Sequence, residues 1–270
     1  MSKTHYLFDK LVYKKFLSKI RSRRKIVLSL DFDGTLVPIQ RDPAQCYLLD
    51  KIKEQLTLLA VSGRCHLMVL SGRSLADIKE RVRMRKIYYG GNHGLDISGP
   101  GIRYTHRRAR AARPVLIKIK KLLAEKIKNI KGAWLEDKKF TLSLHFRSVK
   151  TVDIPLVKKI FYNTADELLK KNSLAVIKGK KVLELAPDIS WDKGKAALWI
   201  LHKLKGKYLP VYIGDDWTDE TAFRALNKKG ITIRVGKSAR TAADYYLKSQ
   251  REIIKFLKHV NECYHKTYGI

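Results

Sequence analysis

An apolar run, Ile26-Val27-Leu28-Ser29-Leu30, stops at Asp31, and a second carboxylate follows at Asp33 before a Gly34-Thr35 turn. Such a run suits a central strand of a parallel sheet, because a strand covered on both faces reads as nearly continuous apolar sequence. In open parallel sheets, ligands sit just beyond the carboxyl ends of the strands. Residues i and i+2 of an extended chain project to the same side. Asp31 and Asp33 can therefore face one site while Phe32 turns into the core. A solvated strand end with an Asp-Gly turn carries the same residues, so the rest of the chain has to decide.

Residues 26–90 alternate strand and helix: strands at 26–30, 66–70 and 87–89, helices at 48–60 and 75–82. The C-terminal part repeats the design, with helices at 193–204, 220–227 and 253–261 and strands at 209–213 and 231–235. This alternation predicts an α/β fold, a Rossmann-like parallel sheet with helices on both faces. The middle differs. After Gly99-Pro100-Gly101, Phe140, Leu142, Leu144 and Phe146 alternate with Thr141, Ser143, His145 and Arg147. That pattern marks an antiparallel sheet with one covered face, and helices near 112–130 and 153–171 would cover it. The expected organisation is a core of residues 1–98 and 187–270 interrupted by an inserted α+β domain at 99–186.

At 270 residues the chain can hold one large domain or two smaller ones with real cores. No apolar stretch is long enough to span a bilayer. The apolar residues of the first 25 positions are interspersed with lysines, which fits an amphipathic helix rather than a secretory signal. Packing against the domain is the preferred reading of that helix, with membrane-surface binding the alternative. Cys46, Cys65 and Cys263 are too few and too scattered for a disulfide framework or a metal cluster. A cytoplasmic, monomeric protein with reduced thiols is expected. The net charge of +32 would attract polyanions. No nucleic-acid-binding motif accompanies it, so a nucleic-acid partner is not expected, and the same field favours a small anionic substrate.

Three further segments share the design of the first. The second strand runs into Ser71-Gly72-Arg73-Ser74, where a hydroxyl and backbone N–H groups at a helix start can hold a phosphate oxygen; Ser74 can equally be a helix cap. The strand at 209–213 runs into Gly214-Asp215-Asp216-Trp217-Thr218-Asp219-Glu220. Four acids in six residues cannot all adjoin in a folded site without a cation, and Mg²⁺ is the natural oxygen-seeking partner. Lys193, just before a helix, could balance carboxylates and a phosphate. These parts make one mechanism. Asp31 attacks phosphorus to give an aspartyl-phosphate, while Mg²⁺ and Lys193 cancel charge. Asp33 protonates the leaving oxygen and later deprotonates the hydrolytic water.

The segments LDFDGTL, LSGRS, DKGKA and IGDDWTDE, in this order, closely resemble the four motifs of the haloacid dehalogenase (HAD) phosphatase superfamily. The resemblance implies Asp31 as nucleophile and Asp33 as acid/base. It also implies Mg²⁺ held by Asp31, the backbone carbonyl of Asp33 and Asp215, with Asp216 and Asp219 as supporting acids and an inserted cap. GGNHGLDI, EDKKFTLSLHFR and GKKVLELAPDISWDKGKA further resemble the trehalose-6-phosphate phosphatase family. That likeness implies Glu136, Lys138 and Glu184 as ligands of sugar hydroxyls. Asn92, His93 and Arg147 match family positions near the phosphate and the cap hinge, and Gly72 and Arg73 of the Ser71 loop are expected with them among the substrate-binding residues. The family often carries a basic residue before the proline, where this chain has Ala186. The expected activity is hydrolysis of trehalose 6-phosphate. The alternatives are another sugar phosphate, of the sucrose or mannosylglycerate type, or a nucleic-acid-binding protein on this scaffold. No separate sugar-transfer domain, and so no bifunctional synthase, is expected.

Overall fold

In chain order the elements are β1 (His5–Tyr6), α1 (Lys10–Arg21), β2 (Ile26–Leu30), α2 (Asp50–Val61), β3 (Cys65–Leu70), α3 (Leu75–Val82), β4 (Tyr88–Gly91), β5 (Asp96–Gly99) and β6 (Ile102–Thr105). Then come α4 (Arg107–Ile127), β7 (Trp134–Asp137), β8 (Leu142–His145), α5 (Ile154–Asn172), β9 (Leu174–Gly179) and β10 (Val182–Pro187). The last are α6 (Lys193–Lys203), β11 (Leu209–Gly214), α7 (Glu220–Leu226), β12 (Ile231–Val235), β13 (Tyr245–Leu247) and α8 (Ile253–His265). The computed structural model describes residues 4–23, 25–40, 43–172, 174–179 and 181–265. It divides into two compact units, Met1–Tyr104 with Trp191–Ile270, and Thr105–Ser190.

The first unit is built on a nine-stranded sheet in the order β1-β13-β12-β11-β2-β3-β4-β5-β6. β2 lies between β11 and β3 and is parallel to both, with Leu28 opposite Val211 on one side and Leu67 on the other. Every residue of β2 and β11 is buried. Period-2 alternation splits the apolar run between two layers. Ile26, Leu28 and Leu30 join Ile52, Leu56, Phe256 and Leu257 of α2 and α8, whereas Val27 joins Ala196, Ala197, Ile200 and Phe223 of α6 and α7. At about 1.5–3 kcal/mol per fully buried large aliphatic or aromatic side chain, these two layers are the main stabilising term of the unit.

The N-terminal helix packs, as its preferred reading had it. Asp9 caps α1, accepting from the backbone N–H groups of Leu11 and Val12. Phe16 and Ile20 are fully buried, and the Phe16 and Phe256 rings are 5.8 Å apart. β1 adds a parallel edge strand to β13. Among the described residues no helix is long and apolar enough to cross a membrane.

The second unit carries the antiparallel sheet β7-β8-β10-β9. Leu142 and Leu144 pack with Leu116, Ile119 and Leu123 of α4 and Val157 and Phe161 of α5. Ser143 and His145, on the other side of β8, face Glu184 and Glu136 instead. The insertion was expected from residue 99, but the compact unit begins at 105. Gly99-Pro100-Gly101 forms the turn between β5 and β6, and both strands belong to the large sheet. At the return, the compact unit runs on to Ser190, three residues beyond the end of β10.

Candidate active site

The chain leaves β2 toward β3 on one side and returns through β11 on the other. The carboxyl end of β2 is therefore the point where strand order reverses, where an open α/β sheet leaves a crevice. Asp31 lies there, 5% exposed, with its backbone N–H donating to the Ile213 carbonyl. The turn after it is tight. Gly34 has φ +87°, and a Cβ on it would stand 2.1 Å from Asp215 Oδ2. Only glycine satisfies both conditions.

Lys193 Nζ, buried at the first turn of α6, lies 2.6 Å from Asp31 Oδ1 and 2.8 Å from Asp219 Oδ1. Asp192 caps that helix through the Lys195 N–H, and Gly194 lets the helix approach the Thr221 carbonyl, which a Cβ would meet at 2.4 Å. Burial alone would lower the Lys193 pKa; the charges of Asp219 and Asp31 reverse this and keep the ammonium protonated. The Asp31 carboxyl is pushed well above the ordinary carboxylate range, by burial first and then by Asp219 and Asp215, against the pull of Lys193. Asp215 is pushed up to about 6 by burial and by the Asp219 charge, and Thr35 donates to its Oδ1 at 3.1 Å.

The four acids after β11 divide their work. Carboxylate oxygens of Asp31, Asp215 and Asp219 lie within 4.8 Å of one another. Both oxygens of Asp219 are already taken. Oδ1 accepts from Lys193 and from the Tyr212 hydroxyl at 2.8 Å, and Oδ2 accepts from the backbone N–H groups of Asp215 and Asp216, each at 3.0 Å. A carboxylate has about four lone-pair directions, so Asp219 organises the loop, and Asp31 and Asp215 are the carboxylates with capacity for a cation. Asp216 is exposed and forms a capping box with Asp219. Glu220 pairs with Arg234 at 3.0 Å and accepts from the Ala242 N–H. Buried, mutually repelling carboxylates form a donor set that suits a small, hard divalent cation.

At the end of β3, Ser71 is buried and its Oγ accepts from the Arg73 N–H at 3.1 Å. Ser74 is the N-cap of α3, accepting from the Asp77 N–H. The Asn92 N–H donates to the Arg73 carbonyl and the His93 N–H to the Ser71 carbonyl, which ties the end of β4 to this loop. Gly72 lies against the His93 ring, 2.8 Å from Cε1 for an added Cβ. The Arg73 guanidinium grips Asp33 through Nε and Nη2, each at 2.6 Å, and reaches Asp77 with Nη1 at 3.0 Å.

In the second unit, β7, β8 and β10 bring Glu136, Lys138 and Glu184 onto one patch. Lys138 Nζ is 2.8 Å from Glu184 Oε2, which also accepts from the Ser143 hydroxyl at 2.7 Å, and Glu136 Oε2 is 2.8 Å from His145 Nε2. Burial would raise the Glu136 pKa, but the His145 hydrogen bond and the Lys138 charge hold it below the usual range. Arg147 is exposed beyond the end of β8. Sequence reasoning missed Tyr212, Thr35, Ser143 and His145. Tyr212 reads as one more core residue of an apolar strand, and the other three contacts need a partner strand or loop to be visible.

Residues 29–251 match the family described as trehalose-phosphatase. Over 262 residues the chain is 36% identical to trehalose-phosphate phosphatase B of Arabidopsis thaliana, covering 91% of this chain and 69% of that protein. It is 36% identical over 270 residues to probable trehalose-phosphate phosphatase 4 of Oryza sativa subsp. japonica, covering 94% and 71%. The C-terminal domain of C. albicans trehalose-6-phosphate phosphatase aligns with a TM-score of 0.77 at 21% identity, over 96% of this chain and 98% of that one, and bears on the fold.

Proposed function

The chain belongs to the trehalose-phosphatase family, and from that premise we propose that it hydrolyses trehalose 6-phosphate to trehalose and phosphate through an aspartyl-phosphate on Asp31. The observation that carries this reading is the buried Asp31–Lys193–Asp219 chain with Asp215 beside it, at the switch point of the sheet. A carboxylate oxygen of Asp31 attacks phosphorus, and the bond from phosphorus to the sugar oxygen breaks. Asp33 enters this step carrying a proton on one oxygen in place of one of its two Arg73 bonds, and gives that proton to the leaving oxygen. It then takes a proton from the water that attacks the phosphoenzyme, which returns Asp31 as a carboxylate. Lys193 places a fixed positive charge beside the nucleophile, and the Ser71 hydroxyl with the start of α3 offers donors to the phosphoryl oxygens.

Mg²⁺ held by Asp31, Asp215 and the Asp33 carbonyl would supply neutralisation of phosphoryl charge. Asp219 and Tyr212 keep Lys193 and the 215–216 loop in register, while Asp216 acts as a cap. Gly72, Asn92 and His93 shape the phosphate side of the site. Glu136, Lys138 and Glu184 bind the sugar: two carboxylates and an ammonium are the groups that grip vicinal hydroxyls. Arg147, with Asn92 and His93, serves the phosphate side or the hinge. Phosphate release from a panel of sugar phosphates tests the reading. Trehalose 6-phosphate is expected to be turned over fastest, and a sucrose or mannosylglycerate phosphate turned over faster would displace it.

A further inference from the structure

At the amino ends of the strands, opposite the end that carries Asp31, lies a cavity of about 1140 Å³. Six cations line it: Arg21, Arg23, Lys25, Arg64, Lys205 and Lys207. They come from separate parts of the chain, namely the end of α1 and the segments leading into β2, β3 and β11. Among the described residues Glu262 is the only acid on its wall. Arg23, Lys25, Lys205 and Lys207 are exposed and form no ion pair among the described residues.

Helix carboxyl ends account for part of this charge. α1, α2, α6 and α8 all end at the cavity, and each terminus carries about half a negative charge. Together with Glu262 they leave roughly three positive charges in excess on the wall among the described residues. A second observation points the same way. Tyr264 lines the cavity, is 4% exposed, and its hydroxyl has no hydrogen-bond partner among the described residues. A buried donor without an acceptor is costly.

We propose that this cavity binds a small, multiply phosphorylated anion, independently of the phosphatase site. A single phosphate would balance only part of the charge. Extended nucleic acid is drawn along a basic track, whereas these cations converge on one open concavity. Tyr208 adds a half-buried aromatic ring to the wall, so a nucleoside triphosphate has a surface for its base that inorganic tripolyphosphate cannot use. β2 alone separates the two ends of the sheet by roughly 17 Å, so occupancy of one does not exclude the other.

The test is calorimetric titration of the full chain, in chelator, with tripolyphosphate and with ATP. Lys25→Glu/Lys207→Glu removes charge from the cavity; Lys118→Glu/Lys121→Glu removes the same charge from the exposed face of α4 in the other unit. The cavity pair is expected to weaken tripolyphosphate binding at least about tenfold and the α4 pair less than about threefold. Trehalose 6-phosphate turnover of both variants is expected within about twofold of wild type, which reports that they are folded. Equal weakening by the two pairs would overturn the proposal in favour of the general field of a +32 chain. A short single-stranded oligonucleotide that binds more tightly than either probe, and is lost in the cavity variant, would overturn the ligand class. ATP bound more tightly than tripolyphosphate identifies a nucleotide as the source of the phosphates; equal affinity identifies the phosphate chain alone.

Discussion

Arg73 and Asp33 are joined by two parallel hydrogen bonds, Nε to Oδ2 and Nη2 to Oδ1, both 2.6 Å long. Arg73, expected among the substrate-binding residues, directs its guanidinium at the proposed acid/base and Asp77. A planar fork fixes both the position and the rotation of a carboxylate, which a lysine ammonium cannot do. Arg73→Lys should therefore misdirect Asp33 and lower turnover of trehalose 6-phosphate by about tenfold or more. Phosphorylation of Asp31 by p-nitrophenyl phosphate should suffer less, because its phenolate leaves without a proton; burst amplitudes on the two substrates compare them. Equal loss of both would mean that the pair only supports the fold.

Asp31→Asn should have no measurable turnover, although the side chain is nearly isosteric. The amide is no nucleophile and cannot balance Lys193 in the same way. Asp33→Asn should retain a fraction of the first step and accumulate phosphoenzyme, read by acid quench and mass spectrometry. Wild-type turnover by Asp31→Asn would remove this residue from the chemistry.

Activity should vanish in excess chelator and return with Mg²⁺, and Asp215→Asn should raise the Mg²⁺ concentration needed for half-maximal rate by about tenfold or more. Excess Ca²⁺ should inhibit, since a larger ion with more ligands can engage both oxygens of the nucleophile. Phosphate release at several metal concentrations measures all three. Full activity in chelator would contradict the role assigned to the β11 loop.

Glu136→Ala, Lys138→Ala and Glu184→Ala should each cost roughly 1.5–3 kcal/mol on trehalose 6-phosphate, one to two powers of ten in kcat/KM. p-Nitrophenyl phosphate has no sugar to read, so its slow hydrolysis should barely change. Loss on both substrates would instead report damage to folding, and loss on neither would return the three charges to a solvent-facing role.

Asp137 offers a pH test in the same unit. Burial alone would raise its carboxyl, but hydrogen bonds from Arg113, the Lys139 N–H and Lys120 overcome this and bring it down to about 2. The folded value lies below the unfolded one, near 3.9. The stabilisation is complete above about pH 5 and is lost as the pH falls through the folded value. Asp137→Asn should lower the urea midpoint at pH 6 and flatten its decline between pH 4 and 2. An unchanged slope would mean that other carboxylates govern acid unfolding.

Strand-and-helix alternation, the two-faced pattern of β8 and the acidic ends of β2 and β11 are local properties. They follow from residue spacing along the chain, which is why the parallel core, the inserted sheet and the positions of Asp31 and Asp215 were legible in the sequence. Lys193 sits 162 residues from Asp31 and drew notice only because its segment lay between others of the same design. What each of four neighbouring acids does was not legible. Spacing cannot reveal that Asp219 is saturated by four donors while Asp216 turns outward to cap a helix. Nor could charge counting along the chain gather Arg21, Lys25, Arg64 and Lys207 into one cavity, since that needs α1 to end where β2, β3 and β11 begin side by side. Periodicity encodes which face of an element is buried. Which polar groups then meet depends on distances between elements far apart in sequence, and those exist only once the sheet has assembled.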